Sequence, residues 1–138
     1  MRNKERARTL GEVFTPQYLV ERVLGHIPKR VISDPKKTVL DNSCGNGQFL
    51  VEVMQLRRIA GASHRAALLG IYGIDIDDLN IRQTRERLLS GSKNKALIKI
   101  VEHNIVCTDA LDPMHSGWNA VGGYMWGEQP NLFSRKYK

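Results

Sequence analysis

Cysteine is scarce in this 138-residue chain, with Cys44 and Cys107 the only two, and they are read as reduced thiols rather than as a disulfide framework. Metal-ligand spacing is missing as well. His26, His64, His103 and His115 are scattered and never form a two-ligand motif with a cysteine, so no metal is expected. No apolar run approaches the roughly 20 residues that a bilayer crossing needs. The opening Met1, Arg2, Asn3, Lys4, Glu5, Arg6 lacks the apolar stretch of a signal peptide, so no membrane association and a cytoplasmic location are expected. Internal repeats are not found.

What is present fits one domain with a core, since 41% of the residues are hydrophobic and the length leaves no room for a second full domain. The net charge is +7, drawn partly from Arg2, Lys4, Arg6 and Arg8 at one end and Arg135, Lys136 and Lys138 at the other. Such a balance favours polyanionic partners, and it equally describes two solvated tails that keep a protein in solution.

Along the chain, Thr15 followed by Pro16 reads as a helix start, with Thr15 as the cap and Pro16 at the first helical position. The helix is expected from about Pro16 to Ile27, with Leu19, Val20, Val23, Leu24 and Ile27 inward and Glu21, Arg22 and His26 outward. Pro28 to Lys37 reads as loop and Thr38 to Leu40 as a short buried strand. A second helix begins near Gln48, carries Phe49, Leu50, Val53, Met54 and Leu56, and fades around Gly61. An Ala-rich stretch then leads to a strand at Leu69 to Ile74. A third helix is expected over Asp78 to Leu89, entered through Asp75 to Asp78, with Arg82, Arg85 and Arg87 solvated. Ala96 to Val101 and Asn104 to Cys107 both look strand-like, and Ala120 to Trp126 could supply a fourth strand. Alternating strands and helices imply an α/β fold with parallel pairing.

In such a sheet, ligands bind at the carboxyl ends of the strands, where a strand-to-helix turn brings backbone amides together. Gly45 and Gly47 occupy that turn. With its neighbours, the run Asp41 to Leu50, reading DNSCGNGQFL, closely resembles the cofactor loop of adenine-specific DNA methyltransferases, including type I modification subunits. The resemblance implies a Rossmann-like class I methyltransferase fold with a helix before the first strand, and S-adenosylmethionine as cofactor. It implies that Asp41 takes the methionine ammonium, that Cys44, Gly45 and Gly47 form the cradle, and that the loop amides face the carboxylate.

Three further runs resemble the same family. Gly73 to Asp77 places Asp75 where the family's acidic residue grips the ribose hydroxyls. Gly11 to Pro16 resembles the N-terminal motif in which the turn around Phe14 and Thr15 closes over the methionine moiety. Asn104 to Leu111 offers Asp109 for the amino group of the cofactor adenine, with Asn104 the alternative if Ile98 to Val101 were the strand in the sheet.

The family's acceptor-side motif, Asn or Asp followed by two prolines and an aromatic, accepts hydrogen bonds from the target amine and stacks on the flipped base. It has no clear counterpart here. The nearest candidates by position are Gln129 and Pro130, with an aromatic displaced to Phe133. The expected organisation is thus a basic lead at 1–10, a cofactor-binding methyltransferase-like domain at 11–111, and an irregular tail at 112–138 with a possible degenerate fourth strand. The fold is expected to be incomplete, truncated before or within the acceptor motif, with a second subunit or self-association covering the open sheet edge. The function implied is an adenine-specific DNA methyltransferase of a restriction-modification system, or its cofactor-binding part, inactive alone and with DNA as partner. The alternative is an inactive cofactor-binding or interaction module derived from one. A small-molecule or protein methyltransferase also stays open, because the cofactor loop does not define the acceptor.

Overall fold

The structure, a computed structural model, describes residues 14–111. The basic lead and the possible strand at Ala120 to Trp126 lie outside the described residues. In chain order come α1 (Gln17–Leu24), α2 (Lys29–Ile32), β1 (Val39–Asp41), α3 (Gln48–Ile59), α4 (His64–Leu69), β2 (Ile71–Asp75), α5 (Asp78–Leu89), α6 (Lys95–Asn104) and β3 (Ile105–Cys107). The three strands form a parallel sheet in the order β1-β2-β3. Val39 stands opposite Ile71 and Asp41 opposite Gly73, while Gly73 pairs Ile105 and Asp75 pairs Cys107, so the strand ends meet at one rim.

Alternation along each strand divides the core in two. Ile71 and Ile105 point to the face covered by α3 and α5, where they pack with Leu50, Val53, Met54, Ile81 and Leu88. Burying aliphatic side chains of this size contributes about 1.5–3 kcal/mol each. Tyr72 and Ile74 point the other way, with Leu40, Val106 and Ala110 against them. Gly73 lies where α3 comes nearest: a β-carbon there would stand 2.7 Å from Leu50 Cδ1.

Several boundaries differ from the sequence-based reading. At α1, Pro16 takes the N-cap position with no side-chain cap bond, so Thr15 is not the cap. Only Val20 and Leu24 of the expected inner face are buried, and Leu19 and Val23 stay 38% and 43% exposed. Val23 and Ile27 instead line an apolar groove of about 480 Å³ with Val39, Leu40 and Phe49. The supposed loop after Pro28 contains α2, and the Ala-rich stretch is α4, started by Ser63, whose hydroxyl accepts from the Ala66 amide at 3.1 Å.

Ala96 to Val101 is helical. Asn94 caps α6 by accepting from the Ala96 amide at 2.9 Å, and Leu97 and Val101, one turn apart, are its buried pair. The strand that joins the sheet is Ile105–Cys107.

Candidate functional site

The site is built at the carboxyl rim of the sheet, around the turn between β1 and α3. Gly45 and Gly47 have φ of +54° and +89°, values that L side chains rarely adopt. The space beside each is filled by the chain itself. A β-carbon on Gly45 would lie 3.2 Å from the Phe14 ring, and one on Gly47 would lie 2.9 Å from Thr84 Cγ2. Phe14 therefore lies against the turn, and Thr15 and Pro16 follow it into α1.

The turn's amides are largely committed within the chain. Ser43 N–H donates to Asp41 Oδ1 at 3.1 Å, Cys44 N–H to the Ile74 carbonyl at 2.9 Å, Gly45 N–H to Asp75 Oδ2 at 2.9 Å, and Gly47 N–H to the Cys44 carbonyl at 2.8 Å. These four bonds set the shape of the turn and stitch it to β2. Asp75 is the main fastening, because its Oδ1 also accepts from the Asp77 amide at 2.9 Å and from Asn80 Nδ2 at 3.3 Å.

Asp41 ends β1 on the neighbouring strand. Its carboxyl is raised above the usual aspartate range, chiefly by desolvation and further by the negative charge of Asp75, against the lowering effect of the Ser43 amide. Cys44 is buried between β2 and α5, near Thr84 Oγ1, and burial with the charges of Asp41 and Asp75 pushes its thiol up to about 12. It packs as a small apolar group and is not a nucleophile at neutral pH. Cys107 is exposed and free.

Beside the turn lies a cleft of about 350 Å³. Its lining is mixed, with Asn42, Ser43, Asp75, Thr108 and Asp109 polar and Ile76, Ala110 and Leu111 apolar. Asp75 and Asp109 are thus brought into one space. Asp109 Oδ1 accepts from the Leu111 amide at 2.9 Å, which tightens the turn after β3. Asp41 lines the apolar groove, and Asn42 lines both recesses. Asn104 is elsewhere: it is buried at the opposite end of β3, with Nδ2 donating to the Leu68 and Leu69 carbonyls at 3.4 and 3.3 Å. It ties α6 to α4 and has no place at the rim. Gln129, Pro130 and Phe133 lie outside the described residues.

Sequence reasoning missed the support supplied by α5. Thr84 Oγ1 donates to the Gly45 carbonyl at 3.0 Å, while Arg87 Nη1 donates to the Asn46 carbonyl at 2.9 Å and Nη2 to Gln48 Oε1 at 3.3 Å. The signal was faint. Thr84 and Arg87 are three residues apart on a helix whose register was legible, but a threonine and an arginine there read equally well as a solvated face. Among the described residues no helix is long and apolar enough to cross a membrane, and no group of three His, Cys, Asp or Glu side chains could hold a metal ion.

Comparison with known proteins adds one finding. A family model described as N-6 DNA Methylase matches residues 1–117 of the chain. No curated protein and no solved structure matches it. The mixed α/β arrangement around three parallel strands is consistent with a methyltransferase-like fold.

Proposed function

Since the chain belongs to the N-6 DNA methylase family, we propose that its rim cleft binds S-adenosylmethionine and that the chain presents this donor for methylation of adenine amino groups in DNA. The observation that carries the reading is the composition of the cleft. A recess of about 350 Å³ lined by the carboxylates of Asp75 and Asp109 together with Ile76, Ala110 and Leu111 suits a nucleoside, which joins a flat apolar ring to a sugar rich in donors. Asp75 Oδ2 accepts from the Gly45 amide, and a carboxylate oxygen has room for a second bond, so it suits a donating sugar hydroxyl.

In this reading Asp75 takes ribose hydroxyls, Asp109 takes the amino group of the cofactor's adenine, and Ile76 and Leu111 cover the ring. Asp41 accepts from the ammonium of the methionine part, with Phe14 and Thr15 closing that side. Cys44 supports the turn from beneath. When bound, the cofactor supplies an electrophilic methyl group on a sulfonium. The chain's own part is to hold that group in one orientation and to exclude water from it, which is where most of the gain in a bimolecular transfer arises. The type I modification subunit likeness and the Rossmann-like arrangement of the complete sheet belong to the same proposal. They rest on the runs at Asp41 to Leu50 and Gly11 to Pro16.

Calorimetry with S-adenosylmethionine on the full chain tests the binding step. The wild type binds, while Asp41→Ala and Asp109→Ala bind at least about tenfold more weakly, the loss expected for one charge-assisted hydrogen bond. Wild-type chain that shows no binding at saturating cofactor overturns the reading. Transfer of a labelled methyl group to an adenine-containing duplex, but not to one lacking adenine, tests the acceptor. Binding without transfer selects the inactive module instead.

A further inference from the structure

A glycine turn with two residues at positive φ is entropically expensive to hold in one shape, because glycine has more conformations to lose than any other residue. A turn that orders only when ligand arrives subtracts that ordering from affinity, so a binding turn gains from being fixed beforehand. The restraints on this one come from two sides. From β2, Asp75 holds Gly45 and the Ile74 carbonyl holds Cys44; from α5, Thr84 donates to the Gly45 carbonyl and fills the space at Gly47, and Arg87 reaches Asn46 and Gln48.

Arg87 stands out within this set. Its guanidinium is desolvated enough to be drawn below the usual arginine range, with burial the cause. It is directed at a carbonyl and an amide oxygen of the turn. Its two prongs hold Asn46, between the two glycines, and Gln48, the first residue of α3. It bridges the turn and the helix that the turn begins.

We propose that Arg87, seated beside Thr84, is a positioning residue of the turn, whose forked guanidinium fixes Asn46 and Gln48 so that the glycine turn is ordered before an amino-acid-bearing nucleoside arrives. The ordering itself is a property of the unliganded chain. Only its consequence for affinity rests on the cofactor reading above.

Lysine has no fork and cannot span both oxygens, so Arg87→Lys retains part of the effect and Arg87→Met, which keeps the aliphatic stem, retains none. Amide hydrogen exchange on the unliganded full chain is the first readout. In Arg87→Met the Gly45 and Gly47 amides should exchange about tenfold faster, with Arg87→Lys in between, while amides in the middle of α3 and α6 keep their wild-type protection. Cofactor affinity should fall about tenfold in Arg87→Met, equivalent to roughly 1.4 kcal/mol. Gln48→Ala removes one acceptor at the surface end of α3 without altering α5, and should also quicken exchange at Gly47.

Unchanged exchange at the turn in Arg87→Met or in Gln48→Ala overturns the proposal. So does acceleration spread evenly over the domain, which would mark Arg87 as a general stabiliser. If the turn loosens as expected while wild-type chain ignores S-adenosylmethionine, the positioning role stands and the cofactor reading is the one that fails.

Discussion

Arginine is the residue whose behaviour the sequence concealed most. Arg82, Arg85 and Arg87 share a helix that reads as a solvated cationic face, yet only Arg82 behaves so, pairing with Asp78 at 2.8 Å in the open. Arg85 donates through Nε to the Ile105 carbonyl at 3.0 Å and through Nη2 to those of Ile105 and Glu102, at 2.6 and 3.2 Å. Arg57 is wholly buried and donates to the Ile32, Ala67 and Lys37 carbonyls, joining the ends of α2 and α4 to the start of β1. A long side chain that reaches backbone carbonyls remote in sequence leaves no local pattern, so such roles are legible only after folding. Arg57→Met should leave three carbonyls unmet and lower unfolding stability by about 3 kcal/mol in denaturant titration. Asp41 gives a pH test. A carboxyl raised in the folded state is penalised when charged, so its penalty is full at neutral pH, eases as pH falls through the raised value, and is gone below the unfolded value of 3.8. Unliganded Asp41→Asn should accordingly melt above wild type at pH 7, with the difference shrinking as the solution is acidified.

At the scale of elements, legibility followed local chemistry. α5 spans Asp78–Leu89 as its helical period and acidic entry indicate, because Asp77 accepts from the Leu79 amide and a left-handed Ser90 ends the last turn. The turn at Asp41 to Gly47 was legible in its glycines, and β1 and β2 run parallel as alternating strands and helices indicate, with Asp41 opposite Gly73, two residues before Asp75. α6 was not, because Leu97, Ile98, Ile100 and Val101 favour a strand by residue type, and the opposing signals, an Asn94 cap and a pair of buried residues four apart, are weaker by eye than β-branching. Thr84 and Gly47 form a contact between elements that can be measured as a coupling. Gly47→Ala should destabilise by about 2 kcal/mol, from the left-handed backbone and the crowding at Thr84 Cγ2. Thr84→Ser removes that methyl group and keeps the hydroxyl, so the double variant should recover the crowding part, and simple additivity in the cycle would refute the contact.

For the whole molecule the question is what the +7 charge does. Arg57, Arg85 and Arg87 are directed at the chain's own carbonyls, so the cations that meet a polyanion are drawn from others. The affinity of the chain for duplex DNA should weaken with salt, and the logarithmic slope should be unchanged in Arg85→Met, whereas loss of one phosphate contact would flatten it by about 0.9. A flattened slope in that variant would place Arg85 on the duplex and not on Ile105. Asp75 carries the last consequence. The same carboxylate that would meet a ribose also fastens Gly45, Asp77 and Asn80. A descendant lineage freed from any need for the nucleoside would still be selected to keep that aspartate for folding. Persistence of an acidic residue here therefore records the demands of architecture, whether or not a ligand is ever bound.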